Sequence, residues 1–512
     1  MSTTEKTYEN KKDFPDDENE KHYKLDSTET STEKAPFTIF RNNERVLLII
    51  VLALSGFWSA TSSPIYFPAL PTVKSYFNID EGTTNLSVLS YLIFQGIFPT
   101  ISSNLADTFG RRPVILTSLL VFIASCIAIS QTTSIYVLIA LRCIQAAGIA
   151  PVFSISSGVA GDVCTTSNLG GMVAMVSGLQ LVGNGVGGLL GAIIISSFNT
   201  WRAIFIFLAI GGGVTFILAF FLLPETSRRI VGNGSVVPKH YVNRAPLIYF
   251  PCFKDRLNND TTTLSDKAAF DIFGPFRIFF KPIVFFTLLP SGIHFAAWTM
   301  VLTSLSTELE SSKYNFTTMQ VGLVYLPQGV ACTLGSLVIG RVLNGYYRYR
   351  KRNYDMQYKD VPYTERPHFN IVTARLYPCI VPSILLFCGL IIFGWCIQFS
   401  QHLSSIIIST CLISLSSSIT MSISATLLVD LFPAKGSASA SCVNLMRCLL
   451  AAAGTGLLEK MVGVMNLGGT YSLIAGVSLI SSLGFVYVVY LSKKMIKEDD
   501  SSESSDVISE TK

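Results

Sequence analysis

Arg142, Arg447 and His294 stand deep inside long apolar stretches of this 512-residue chain, where a charge is costly. Placing an arginine at the centre of an apolar helix in hydrocarbon costs at least about 2.5–3.5 kcal/mol, so each guanidinium must face a cavity or a partner. In Arg142-Cys-Ile-Gln145-Ala-Ala-Gly148 the glutamine follows three residues on, which puts it on the arginine's helix face. The two can satisfy one another or act together on a polar group. Arg447 follows Lys435 by twelve residues, about 18 Å along a helix, and His294 lies at similar depth with Trp298 one turn on. Arg447 can meet a solute or pair with a backbone carbonyl, and His294 can do the same or simply pack. Carboxylates keep to the ends of these stretches: Asp107, Asp162, Glu225 and Asp430 at one side, Glu308, Glu310 and Glu459 at the other. Embedded cations without an embedded acid suit an anionic or zwitterionic partner.

Two further patterns carry geometry. Ser103-Asn-Leu-Ala-Asp107-Thr-Phe-Gly110-Arg111-Arg112 puts an acid, a tight turn and two arginines between apolar runs. Asp107 can pair with Arg111 or Arg112, or meet the positive N-terminus of another helix, which would latch helices in one state and release them in another. A weaker echo, Gly340-Arg-Val-Leu-Asn344-Gly345, carries asparagine in place of the acid. Gly183, Gly187 and Gly191 repeat every four residues beside Gly188, a smooth strip for close helix contact. Tyr66, Tyr91, Gln95, Gln180, Asn184, Trp298, Tyr325 and Asn444 can line a permissive pocket or pack in the core.

The elements that position these residues are legible in composition. Half of the residues are hydrophobic and 14% are charged, against roughly a quarter charged in a soluble domain. That excludes a single soluble core. A bilayer core needs about 20 apolar residues as helix. Such runs lie at 46–70, 86–106, 114–130, 134–159, 172–195 and 203–223, then at 283–305, 321–339, 376–397, 406–428, 438–461 and 471–491. The expectation is an all-α membrane protein of twelve transmembrane helices in two six-helix halves, 45–224 and 282–492. A central loop at 225–281 joins them, and disordered tails at 1–44 and 493–512 flank them. Arginines and lysines cluster after the second, sixth, eighth and twelfth runs, so an even number of spans puts every basic loop, and both termini, in the cytoplasm. The eleven cysteines show no CxxC pair or zinc spacing and read as small packing residues. No metal, cofactor or nucleic-acid signature appears, and no nucleophile elbow, His box or phosphate loop marks an enzyme. Asn315-Phe-Thr317 is a glycosylation sequon on the outer side, and the one at Asn259 falls in the central loop.

The segment around Asp107 resembles the loop 2–3 signature of the major facilitator superfamily, G-x-L-A-D-x-x-G-R-[RK], with Ser103 at its first position. The span 4 pattern is similar to the R-x-x-Q-x-x-G motif of proton-coupled members. The span 5 strip resembles the antiporter motif G-x-x-x-G-P-x-x-G-G, with Gly188 at the proline and Ala192 at the last glycine. Tyr91-Leu-Ile-Phe-Gln95-Gly96, Trp201-Arg202, Leu223-Pro-Glu225-Thr, Tyr325-Leu-Pro327-Gln-Gly329 and Asn444-Leu-Met-Arg447-Cys-Leu together resemble the twelve-span drug:H+ antiporters of yeasts, of the quinidine- and acid-resistance type. The resemblance covers roughly 46–491. It implies a major facilitator fold that exports small organic compounds (drugs, weak organic acids, amino acids or related zwitterions) against inward proton flow. It assigns Arg142 and Gln145 to proton coupling and Asp107, Gly110, Arg111 and Arg112 to a cytoplasmic gate. Gly183, Gly187, Gly188 and Gly191 would form the antiporter helix. Substrate binding would fall to Tyr91, Gln95, Asn184, His294, Trp298, Tyr325, Asn444 and Arg447. The expected partners are a small-molecule substrate, protons and the lipid bilayer, with the protein acting as a monomer. The expected location is the plasma membrane, with a vacuolar or spore membrane, a spore-wall precursor or polyamine exporter, a uniporter or importer, and a non-transporting sensor as the alternatives.

Overall fold

Long apolar helices make up most of the described chain, and five of their connections turn through a single left-handed residue. The computed structural model describes residues 38–163, 166–246, 256–257, 274–311, 314–359, 366, 369–432 and 436–510, with the backbone alone described at 157, 161, 166–181, 275, 436–437 and beyond 496. Gln180's side chain and Asn259 lie outside the described residues. Residues from Phe37 onward form one compact body. The spans, numbered in chain order, are Asn42–Thr61, Glu81–Phe109, Arg111–Gln131, Ile135–Val163, Thr166–Phe198 and Arg202–Leu222. They continue with Pro282–Glu310, Thr318–Gln357, Ile371–Leu376 prolonged through Ile380–Gln398, and Leu403–Leu431. A last helical stretch, Gly436–Glu510, is broken at Asn466 (φ 56°, ψ 177°) and so holds spans 11 and 12. The expected 1–44 tail gives up its end to structure. Span 1 already starts at Asn42, the Ile39 amide donates to the Asn233 carbonyl at 3.1 Å, and Arg256 pairs with Glu44 at 3.0 Å.

Turn chemistry explains the close succession of spans. On the side away from the basic loops, the connections 1–2, 5–6, 7–8, 9–10 and 11–12 each contain one residue with positive φ: Asn78, Asn199, Asn315, Ser400 and Asn466. Asparagine enters the left-handed region at least steric cost among residues with a Cβ, so it reverses the chain in one step. Side-chain caps start the next helices: Asp80 accepts from the Thr83 amide at span 2, Thr317 and Gln320 form a capping box at span 8, and Asn370 accepts from Thr373 at span 9. Hydropathy marks bilayer rather than helix length, and span 8 shows the difference. Its apolar run stops at Ile339, but the helix continues through the basic segment to Gln357.

An outward apolar surface identifies a multi-pass membrane protein. Span 6 exposes Ile206, Ile210, Val214, Ile217 and Phe221 along one stripe, and span 3 exposes Leu120 and Ile127. Ten helices among the described residues are long and apolar enough to cross a bilayer. One of these carries both spans 11 and 12, and the apolar part of span 5 described separately, Val182–Phe198, is shorter. The two six-span halves meet along two seams. Span 2 packs on span 11, where Gly96 lies against Cys448, and span 5 packs on span 8, where Gly185 and Gly329 touch backbone to backbone. A methyl group on Gly185 would lie 2.9 Å from the Gly329 carbonyl oxygen, so neither residue has room for a Cβ.

Candidate functional site

Three groups of polar residues lie within this frame. The first is a narrow cavity of about 60 Å³ between the halves, walled by spans 1, 2, 4, 5, 7 and 11. Gln95, Asn184, Trp298, Asn444 and Arg447 line it, together with Phe153 and Phe295, which sequence reading did not single out. Arg447 donates to Asn444 Oδ1 from Nε at 2.9 Å and from a terminal nitrogen at 2.6 Å, and it stacks 5.0 Å from the Phe295 ring centroid. It has no carboxylate partner among the described residues. Asn444 in turn donates to the backbone carbonyl of Gln95 across the span 2–11 seam. Pro99 explains why that carbonyl is available: four residues on, it supplies no N–H to the helix ladder. A proline inside an apolar run was the sequence signal for this link. Ser103, at the motif's usual glycine position, also serves the seam. Its hydroxyl lies 3.1 Å from Ser441 of span 11 and 3.2 Å from Ser154 of span 4.

The second group surrounds Arg142. Only 1% of this residue is exposed, and its guanidinium lies between the rings of Tyr66 and Tyr91, 4.3 and 4.2 Å from their centroids. One nitrogen donates to Gln145 Oε1 at 2.8 Å, and Gln145 donates onward to the Cys126 sulfur at 3.1 Å. Nε has no hydrogen-bond partner. The nitrogen that meets Gln145 also reaches the Ser62 carbonyl of the turn after span 1 at 3.5 Å, so the positive charge is held by aromatic faces, one amide and one backbone carbonyl, the cation–π part being worth about 2 kcal/mol or more when dry. Tyr91 therefore forms the wall of the arginine cage, one turn from Gln95 in the cavity, and is not among the cavity's lining residues. Tyr325 and His294 are not among them either. Tyr325 donates to the Leu302 carbonyl at 2.6 Å with its ring against Gly188, and His294 is enclosed by spans 7, 10 and 12. Gly183, Gly187 and Gly191 face span 1 and the Pro64–Ala69 turn that follows it.

The third group lies at the end carrying the basic loops. Arg111 pairs with Asp107 at 2.7 Å and with Asp162 of span 4 at 3.2 Å. Glu225, just past span 6, accepts the amides of Arg111 and Arg112 at the start of span 3, at 2.8 and 3.2 Å. A carboxylate at a helix N-terminus meets both free N–H groups and the positive end of the dipole. Burial pushes the Glu225 carboxyl up, against the downward pull of its backbone amide donors. Arg112 reciprocates by donating to the Ala219, Phe220 and Leu223 carbonyls at the end of span 6. The second half repeats the arrangement with one substitution. Arg375 of span 9 pairs with Asp430 of span 10 at 2.7 Å and reaches Asn344 of span 8 at 3.5 Å, so Asn344 stands where Asp107 does. Among the described residues, the contacts of Asp107, Arg111 and Arg112 all fall within the first six spans and the loop after them. Residues 433–435, which lead into span 11, lie outside the described ones.

Gly110 closes this corner at φ 110°, where a Cβ would also run into Glu225. Gly110→Ala should therefore destabilise the first half by about 1–3 kcal/mol. Thermal unfolding in detergent should show a clear fall in midpoint, whereas a glycine acting only as a flexible joint would leave it unchanged.

Comparisons with known proteins bear on the fold and the family. Residues 52–354 match the family model described as Major Facilitator Superfamily. The chain is similar to the MFS antiporter QDR1 of Candida albicans, 64% identical over 482 residues, covering 94% of this chain and 95% of that one. It is 36% identical over 489 residues to quinidine resistance protein 1 of Saccharomyces cerevisiae, covering 91% and 86% of the two chains. It is 31% identical over 458 residues to citrate exporter 1 of Aspergillus niger, covering 88% and 86%. Among solved structures, the partially occluded inward-open xylose transporter XylE from E. coli superposes with a TM-score of 0.62 at 14% identity, over 86% of this chain and 97% of that one.

Proposed function

This chain belongs to the major facilitator superfamily, in its fungal drug:H+ antiporter family, and from that premise we propose that it exports small organic compounds in exchange for protons. Compounds bearing a carboxylate are its preferred class. The observation that carries this choice is Arg447, a cation in the central cavity whose hydrogen bonds go to one asparagine side chain. No acid lines that cavity among the described residues, so it offers a carboxylate a charge-assisted partner and offers a cationic drug none. The name of the Aspergillus citrate exporter supports the same chemistry. Weak organic acids, amino acids and related zwitterions fit, with apolar portions against Phe153, Phe295 and Trp298.

Alternating access supplies the mechanism. The halves rock about the cavity, and the side-chain-free contact of Gly185 with Gly329 supports a seam on which spans 5 and 8 can shift. Arg142 and Gln145 couple that motion to the proton, and Asp107, Gly110, Arg111 and Arg112 stabilise the gate. The distribution of basic loops supports an orientation with the gate and both termini in the cytoplasm; the proposed location is the plasma membrane and the proposed working unit a monomer. Proteoliposomes holding the purified protein test the reading under an imposed pH gradient, with citrate, benzoate, amino acids, polyamines and quinidine as probes. Flux of a carboxylate-bearing probe that follows the gradient is the expected result. Movement of quinidine alone would refute the substrate class, and flux indifferent to the gradient would refute the exchange.

A further inference from the structure

A transporter that exchanges protons needs a group that gains and loses one. Arg142 cannot be that group, because a guanidinium keeps its proton throughout the range in which proteins work. The carboxylates of the described spans lie near their ends, as Asp107, Asp162, Glu308, Glu310 and Asp430 do. His294 is different. It is the thirteenth residue of the 29-residue span 7, about 18 Å along the helix, and is fully buried.

Its surroundings follow a definite hydrogen-bond grammar. Nδ1 lies 3.2 Å from Thr420 Oγ1 of span 10, and Nε2 lies 3.2 Å from Ser482 Oγ of span 12. Both hydroxyls already spend their one proton on their own helices. Thr420 donates to the carbonyls of Ser416 and Ser417, at 3.1 and 3.0 Å, and Ser482 to that of Ser478 at 2.8 Å. Each therefore turns a lone pair toward the ring. A neutral imidazole has one N–H and one lone pair, so one nitrogen would face a lone pair unless a hydroxyl broke its helix bond. An imidazolium donates from both nitrogens and satisfies both contacts at once.

A second observation points the same way. The Ser416, Ser417 and Ser424 hydroxyls of span 10 are buried without a hydrogen-bond partner. They sit four and three residues before Thr420 and four after it, so they form a hydroxyl column of about 12 Å that extends to both sides of the ring. Buried hydroxyls of this kind are ordinarily met by water. No carboxylate or lysine faces the ring from spans 10, 11 or 12 among the described residues. From span 11 the nearby charge is Arg447, held against the adjacent Phe295 ring and on Asn444.

We propose that His294 is the proton-binding site of this transporter, the carrier of the exchanged proton, enclosed among hydroxyls of spans 10 and 12 in the second half and apart from the central cavity. This rests on the proton-exchange reading above. The step is a simple transfer: the free ring nitrogen takes a proton from hydronium, leaving water, and returns it to water when the other side opens. Span 7 links the two sites, since Phe295 and Trp298 of the same helix line the cavity.

The protein has five histidines, so nitrogen NMR of histidine-labelled protein in nanodiscs can follow each ring with pH. The expected result is one reversibly titrating ring that vanishes in His294→Asn and whose midpoint shifts in Ser482→Ala, a variant that keeps the imidazole. A ring at 294 that stays neutral from pH 8 to pH 4 overturns the proposal. In proteoliposomes with citrate and quinidine as probes, the ratio of substrate-driven proton movement to exchange between equal substrate pools should fall at least tenfold in His294→Asn. An unchanged ratio removes the carrier role. If the parent moves no protons with either probe while ring 294 still titrates, the exchange reading fails and takes the carrier role with it, leaving only the proton site.

Discussion

Arg447→Ala should lower export of carboxylate-bearing compounds by about tenfold to a hundredfold and leave quinidine transport nearly unaltered. The magnitude follows from one charge-assisted contact worth about 1.5–3 kcal/mol. Direction follows from the cavity, where Arg447 is the cation and Asn444 its side-chain acceptor. Arg447→Lys restores the charge but loses the planar fork that holds a carboxylate by two parallel bonds, so it should recover only part of the loss. Paired flux measurements with citrate and quinidine decide the matter. Equal losses for both would mean that Arg447 supports the helix bundle rather than the solute.

A comparable loss is expected at the second arginine, with a sharper control. Arg142→Ala should reduce gradient-driven flux by about thirtyfold or more, because it removes a charge sandwiched by two rings, an arrangement worth about 2 kcal/mol or more in a dry site. Tyr91→Phe should behave like the parent, since the Tyr91 hydroxyl has no hydrogen-bond partner and the ring face carries the interaction. Tyr91→Ala should follow Arg142→Ala. If Tyr91→Phe instead loses gradient-driven flux, the hydroxyl is part of the proton route and the cage is more than aromatic.

The fold was legible because hydrocarbon leaves a coarse and repeated signature. Runs of about twenty apolar residues and the one-sided placement of arginine and lysine do not depend on detail, so the all-α two-half architecture is readable residue by residue. Helix ends are not, as span 8 shows by continuing eighteen residues past its apolar run. The cavity was partly legible: amides and a guanidinium at mid-depth (Gln95, Asn184, Asn444, Arg447) are conspicuous in an apolar helix. Phe153 and Phe295 were not, because an aromatic that lines a cavity and one that faces lipid have the same composition. Rotation about the helix axis also decided Tyr91, His294 and Tyr325, whose depth the sequence gives but whose facing it does not. Arg375 escaped notice for another reason. Its role as the counterpart of Arg111 is visible only once Asp430 and Asn344 are brought beside it.

The Gln95 carbonyl that receives Asn444 belongs to the main chain, and that changes how the link between the halves can be inherited and detected. Any side chain at position 95 carries the same acceptor, so scanning that position would not expose the link. The genetic address of the bond is position 99, because only a residue with an amide there can return the carbonyl to its own helix. An alanine scan would therefore report Pro99, one turn beyond the cavity-lining Gln95 and itself outside that lining, as a residue with a transport defect of its own.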